Sequence, residues 1–102
     1  MRVELEYFDD CPNWTVAYDR LAQALVDVGA ADTVISLVQV TSEEQAVAEQ
    51  FAGSPTIRID GVDPFAPQAP QYGLACRVYA TPDGMDGAPS LAQLVAALTS
   101  AP

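Results

Sequence analysis

The sequence has no lysine and no histidine, and its only positively charged side chains are those of four arginines. Without an imidazole, the chain has no Ser-His-Asp triad, no Cys-His nucleophile and no histidine metal site. The 14 aspartates and glutamates give a formal net charge of −10, which argues against nucleic acid as a partner because phosphate binding requires a basic surface. Cysteine, carboxylate, hydroxyl and backbone groups provide the chemistry that remains.

Long apolar runs are also missing, and the first residues, "MRVELEYF", lack the basic start and apolar core of a signal peptide. We expect a soluble cytoplasmic protein that is not secreted and does not enter a membrane. A length of 102 residues is typical of one domain, residues 1–102, built around a single core.

The spacing of apolar residues predicts the element order βαβαββα. Strands are predicted at residues 2–8, 33–40, 55–60 and 75–81, and helices at residues 12–28, 43–51 and 90–98. Right-handed crossovers make the first two strands parallel. The predicted fold is α/β, with a four-stranded mixed sheet flanked by helices on both faces, and its apolar second strand is expected to be covered on both sides.

Alternation along the strands divides their side chains between two faces of the sheet. One face is predicted to be apolar, with Val3, Leu5, Ile57, Ile59, Cys76 and Val78. The other is predicted to carry opposite charges, on Glu4, Glu6, Arg58 and Arg77, together with Tyr79. If the third strand lies between the first and the fourth, each cross-strand charge pair contributes only about 0.2–1 kcal/mol.

Cys11 directly follows the first predicted strand, and Pro12 is expected at the first position of the helix that comes next. The start of a helix favours an anion, so this position favours a thiolate, although the preceding Asp9 and Asp10 oppose it by repulsion. We therefore expect a modestly activated thiol at Cys11.

The chain resembles the thioredoxin-like superfamily over nearly its whole length, and two motifs carry this resemblance. "CPNW" resembles the CxxC active site with the second cysteine replaced by Trp14, and "GSPTIRIDG" resembles the turn in which a cis proline packs beside the active cysteine. The wider pattern is similar to small bacterial thioredoxin-family proteins, some of which are labelled as related to alkylmercury lyase. The resemblance implies Cys11 as the catalytic residue, and Pro12, Trp14, Ser54, Pro55 and Thr56 as residues that shape the site.

The resemblance implies a thiol–disulfide oxidoreductase that needs no cofactor and no metal. Because Trp14 cannot act as a resolving thiol, exchange at Cys11 is expected to be monothiol: a disulfide or thiol-adduct substrate reacts with Cys11, and an external thiol completes the reaction. Trp14 either borders the sulfur as an aromatic platform or, as we favour, fills the space between the first helix and the Pro55 turn.

Cys76 is predicted to be a buried structural thiol. The third and fourth strands are expected to be antiparallel, which places Cys76 at the sheet edge far from Cys11. A resolving role for Cys76 stays open because the path of the proline-rich loop before it, residues 61–73, does not follow from the sequence. Two other functions stay open. One is a binding module without catalysis, using the acidic surface and this loop, and the other is a soft-metal or mercurial site made by Cys11 with Cys76.

Overall fold

A computed structural model describes residues 1–100 of the chain. The elements are β1 (Val3–Tyr7), α1 (Trp14–Asp27), β2 (Ile35–Gln39), α2 (Glu43–Ala48), β3 (Thr56–Ile59), β4 (Tyr79–Thr81), β5 (Gly84–Asp86) and α3 (Leu91–Ser100). Within this part of the chain, no helix has the length and apolar character needed to span a bilayer.

The central sheet has three strands in the order β2-β1-β3, with β2 parallel and β3 antiparallel to β1. In this register Leu5 lies between Leu37 and Ile57. The mixed α/β character is as predicted, but the predicted four-stranded sheet is wrong. The last three residues of the expected fourth strand, 79–81, form β4, which pairs with β5 in a separate hairpin and not with β3.

One face of the central sheet forms the main core. Its inward residues on β1 and β3 are the four that alternation predicts, and α1 and α3 cover them together. The buried members are Val3, Leu5, Ala17, Leu21, Ala24, Leu25, Ile57, Ile59, Ala88, Leu94 and Leu98. A smaller cluster, made by Val40, Ala46 and Phe51, lies under α2.

The opposite face carries part of the predicted charge pattern. Glu6 pairs with Arg58 at 2.9 Å, and the Arg58 guanidinium also donates to the carbonyls of Glu49 and Gln50 at the end of α2. Arg77 is absent from this pattern, because it pairs with Asp63 in the loop that follows β3. The charged face therefore connects β1, β3 and α2, and the fourth-strand part of the prediction is wrong.

The path of the chain after β3 explains this difference. Ile59 and Val62 form an antiparallel bridge around a tight turn at Asp60 and Gly61, which sends the loop back along the sheet. The chain then passes beside the start of β3 in the parallel direction, before the hairpin begins. Pairing within the hairpin sets the alternation there, so Val78 is exposed and Tyr79 is buried, the reverse of the prediction.

β2 is an edge strand with one neighbour, and the prediction that it is covered on both sides is wrong. Leu37 is 47% exposed, and Val34, which precedes the strand, is 78% exposed. An apolar composition reflects β-propensity as well as burial, so it does not distinguish an exposed edge from a central strand.

Candidate functional site

Cys11 lies in the turn between β1 and α1, where its sulfur meets a distant part of the chain. Its backbone N–H donates to the carbonyl of Phe8 at 3.1 Å, which closes the turn. The residue is only 1% exposed, and its Sγ donates a hydrogen bond to the carbonyl oxygen of Ser54 at 3.5 Å. The two sequence motifs that carry the resemblance therefore meet at this contact.

α1 begins later than predicted, and Pro12 is not its first residue. The first helical hydrogen bond runs from Ala17 N–H to the carbonyl of Asn13, whereas the carbonyl of Pro12 accepts the hydroxyl of Thr15 at 3.4 Å. A proline also disfavours the helical conformation in the residue before it, which keeps Cys11 outside the helix. The sulfur makes its hydrogen bond to the Ser54 carbonyl and not to an amide of the helix.

Ser54, Pro55 and Thr56 form a buried turn at the start of β3. The Ser54–Pro55 peptide bond is cis, as the resemblance implies. The hydroxyl of Thr56 donates to the carbonyl of Gly53 at 2.6 Å, and the phenol of Tyr79 donates to the carbonyl of Pro55. The turn is thus held from within and by the first residue of β4.

Cys76 lies beside this turn, and the prediction that it is buried at the far edge is wrong. It is exposed, and it pairs with Ser54 in a parallel bridge. The Ser54 N–H donates to the carbonyl of Ala75, and the Ser54 carbonyl accepts the N–H of Arg77, both at 2.8 Å. The parallel direction, set by the returning loop, brings Cys76 to the edge occupied by Cys11.

The neighbouring Cys11 affects the pKa of the Cys76 thiol. Partial desolvation raises the pKa of the Cys76 thiol, and hydrogen bonding and charge from the neighbouring Cys11 raise it further. Both residues are free thiols in this structure.

Gly53 allows segment 75–77 to lie this close to the turn. Its φ is +108°, a region that favours glycine, and a Cβ at this position would lie 3.0 Å from the Ala75 carbonyl oxygen and 3.0 Å from the Cβ of Arg77. A side chain at residue 53 would therefore push the segment that carries Cys76 away from Ser54.

Arg77 connects the loop at residues 61–73 to the turn. Its guanidinium lies 2.7 Å from the Asp63 carboxylate, 2.6 Å from the Phe65 carbonyl and 3.2 Å from the Thr56 hydroxyl, and it stacks over the Tyr79 ring at 4.5 Å. Sequence reasoning missed this role, because strand alternation assigned Arg77 to the charged sheet face. The nearest sequence signal is the presence of an arginine between small and apolar residues in "LACRVY".

No family model, curated protein or solved structure matches this chain. The relation to thioredoxin-like proteins therefore remains a resemblance in motifs and in the order of the first elements.

Trp14 packs away from the Pro55 turn. Its ring stacks on Tyr7 with centroids 4.2 Å apart, and it borders a surface cavity of about 190 Å³ together with Tyr18 and Leu37. The indole therefore fills space on the β1–β2 side of α1, and its contribution to the site at Cys11 stays a prediction.

The hydroxyl of Ser54 is the one buried side-chain polar atom without a hydrogen-bond partner that is found in residues 1–100. Ser54 is fully buried, between Cys11 and Cys76. An unpaired buried hydroxyl is costly, so this serine is an exception to the pairing found at the other buried side chains of residues 1–100.

A larger cavity, of about 550 Å³, lies away from both cysteines, between the end of β3 and α3. Its lining includes Ile59, Val62, Phe65, Ala96 and Ala97. Neither cysteine lines this cavity, so the candidate site is defined by the two sulfurs and the turn between them.

Proposed function

We propose that this protein is a thiol–disulfide oxidoreductase in which Cys11 exchanges disulfides beside the Pro55 turn. The observation that supports this most directly is the 3.5 Å contact between the Cys11 sulfur and the carbonyl of Ser54, the residue before Pro55. It joins a cysteine that follows β1 to a rigid turn from a separate part of the chain. Such a setting holds a sulfur in a fixed position for in-line attack on a disulfide.

The substrate class is a disulfide or a thiol adduct, of a protein or of a small thiol. A substrate sulfur forms a mixed disulfide with Cys11, and the substrate's other sulfur leaves as a thiol. An external thiol then attacks the substrate sulfur of the mixed disulfide, which forms a disulfide between that thiol and the substrate and releases Cys11 as a thiol. The "CPNW" segment has no second sulfur, so the motif itself contributes one thiol to this cycle.

The test is reduction of a small disulfide, hydroxyethyl disulfide, by glutathione, followed through NADPH consumption by glutathione reductase. The wild-type protein should accelerate the reaction, Cys11→Ser should not, and Cys76→Ser is the matched control, which should keep monothiol turnover. The proposal fails if the wild-type protein gives no acceleration or if Cys11→Ser accelerates equally.

Soft-metal binding is a second candidate, and the closeness of Cys76 to Cys11 favours it. Two neighbouring thiolates suit a soft ion such as Hg(II). Residues 1–100 contain no group of three or more acidic or cysteine side chains placed to hold a metal ion, so the ion would be bound by the two sulfurs alone. Titration of the reduced protein with Hg(II) distinguishes this function. Binding through both sulfurs should weaken sharply in Cys11→Ser and in Cys76→Ser alike, and binding that persists in either variant contradicts it.

A further inference from the structure

Both backbone polar groups of Ser54 are hydrogen-bonded to segment 75–77. The N–H and the carbonyl of Ser54 both bond to this segment, at 2.8 Å each, and the same carbonyl accepts the Cys11 thiol. Strands paired in this way are about 4.8 Å apart, so the Cys76 backbone lies one strand spacing from the residue that the Cys11 sulfur contacts. The fold thus presents its own cysteine at the site.

The attachment of this segment is firm on both sides of Cys76. Gly53 leaves room for both neighbours of Cys76, Ala75 and Arg77. The Arg77 guanidinium is also held by hydrogen bonds to Asp63 and Phe65. Cys76 itself is exposed between these contacts. Its sulfur is therefore positioned by its neighbours and remains open to solvent, whereas Cys11 is buried.

We propose that Cys76 is the partner thiol of Cys11, and that the two form an intramolecular disulfide. This inference rests on the proposed function, and it replaces the external resolving thiol with one from the same chain. The raised pKa of Cys76, caused in part by Cys11, agrees with two sulfurs that interact.

The reaction balances with an outside disulfide, R–S–S–R, as the oxidant. One protein sulfur attacks it, forming a mixed disulfide and releasing one R–SH; the second protein sulfur then attacks the protein sulfur of the mixed disulfide. That step forms the Cys11–Cys76 bond, breaks the bond between the protein sulfur and the R–S group, and releases R–S⁻, which takes up a proton to give a second R–SH. Two thiols are oxidised and one outside disulfide is reduced, whichever protein sulfur reacts first.

The test uses the reduced full-length protein and glutathione disulfide, with acid quenching, alkylation of the remaining thiols and intact-mass analysis. Wild-type protein should lose two hydrogens, carry no glutathione and resist alkylation, and it should remain a monomer on a non-reducing gel. Cys76→Ser and Cys11→Ser should each retain one glutathione. Wild-type protein oxidised in urea is the control: its yield of the internal disulfide should drop, because unfolding separates the two residues.

The outcomes separate this inference from the proposed function. If Cys76→Ser acquires glutathione on Cys11 but the folded wild-type protein gives only glutathione adducts, exchange at Cys11 stands and the internal disulfide is overturned. If Cys11 acquires no glutathione in Cys76→Ser and that variant shows no turnover, the proposed function itself fails. Circular dichroism of the reduced variants shows whether each one is folded.

Discussion

The guanidinium of Arg77 lies 2.7 Å from the carboxylate of Asp63, and the two side chains are only 7% and 9% exposed. This pair joins the loop after β3 to the segment that carries Cys76. The position of Cys76 beside Ser54 therefore depends on an ion pair between the next residue, Arg77, and a residue 14 positions earlier in the chain.

Asp63→Asn should lower the free energy of unfolding by about 3–5 kcal/mol, because it leaves the Arg77 charge buried without its counter-charge. Urea denaturation measures the loss. Asp86→Asn is the matched control, since its ion pair with Arg20 is more exposed, with side chains 48% and 34% exposed, and its effect should be much smaller. Equal losses in the two variants would contradict a special role for the buried pair.

Gly53→Ala should destabilise the protein more than Gly84→Ala. Both glycines have nearly the same φ, +108° and +112°, so both variants acquire backbone strain of about 1–3 kcal/mol. Only at Gly53 would the new Cβ also press on Ala75 and Arg77, since nothing lies within 4 Å at Gly84. Thermal or urea unfolding of the pair tests this; an equal effect would mean that segment 75–77 is not held against the turn.

Removal of two buried hydroxyls should have different effects on stability. The Thr56 hydroxyl donates to Gly53 and accepts from Arg77, so Thr56→Val should cost about 1–3 kcal/mol in the free energy of unfolding. Ser54→Ala removes a hydroxyl that has no partner, so the free energy of unfolding should stay unchanged or rise. A clear loss of stability in Ser54→Ala would show that this hydroxyl makes a structural hydrogen bond.

Glu6 should make stability depend on pH. Burial raises the pKa of Glu6, although its hydrogen bond and ion pair with Arg58 act in the opposite direction. A raised carboxyl pKa contributes stability that is fully present below the ordinary value of 4.5 and is lost as pH rises through the folded-state pKa.

The free energy of unfolding of wild-type protein, relative to Glu6→Gln, should therefore fall as the pH rises from 4.5 toward neutrality. Glu4→Gln, on the same strand and paired with Arg2 at 3.3 Å, controls for the loss of one negative charge. A difference between wild type and Glu6→Gln that grows with pH would reverse the assignment.

Alkylation should distinguish the two thiols of the reduced protein. A maleimide should label exposed Cys76 before Cys11, which is 1% exposed, and the order should vanish in urea. Cys11→Ala should make Cys76 react faster at neutral pH than in wild-type protein, because it removes one cause of the raised Cys76 pKa and so increases the thiolate fraction. An unchanged Cys76 rate would show that the two sulfurs do not interact.

The sequence was sufficient where local periodicity and burial agree. Val3, Leu5, Ile57 and Ile59 share one face of the sheet as alternation predicts, and α1 and α3 cover them. The meeting of Cys11 with the Pro55 turn followed from the resemblance, since the two motifs are far apart in the chain. Their contact is nevertheless mediated by the Ser54 carbonyl and not by a helix amide.

The sequence was insufficient where the outcome depends on a return path of the chain. The direction of the loop after β3 is set by the turn at residues 60–61 and by the pairing of Arg77 with Asp63, and neither has a periodic signature. A reversal of this direction changes the neighbours of every residue that follows. That is why Cys76, Val78 and Tyr79 were all assigned wrongly, although each belongs to a recognisable apolar stretch.

The hydrogen bonds between Ser54 and segment 75–77 also have a consequence for the proposed function. An extended peptide that needs the backbone of Ser54 has a tethered competitor, whose effective concentration is of the order of millimolar or higher. A small thiol or disulfide needs access only to a sulfur, so segment 75–77 does not compete with it for the Ser54 backbone. If the proposed exchange takes place at Cys11, the fold would therefore favour low-molecular-weight sulfur compounds over extended polypeptides that must pair with Ser54.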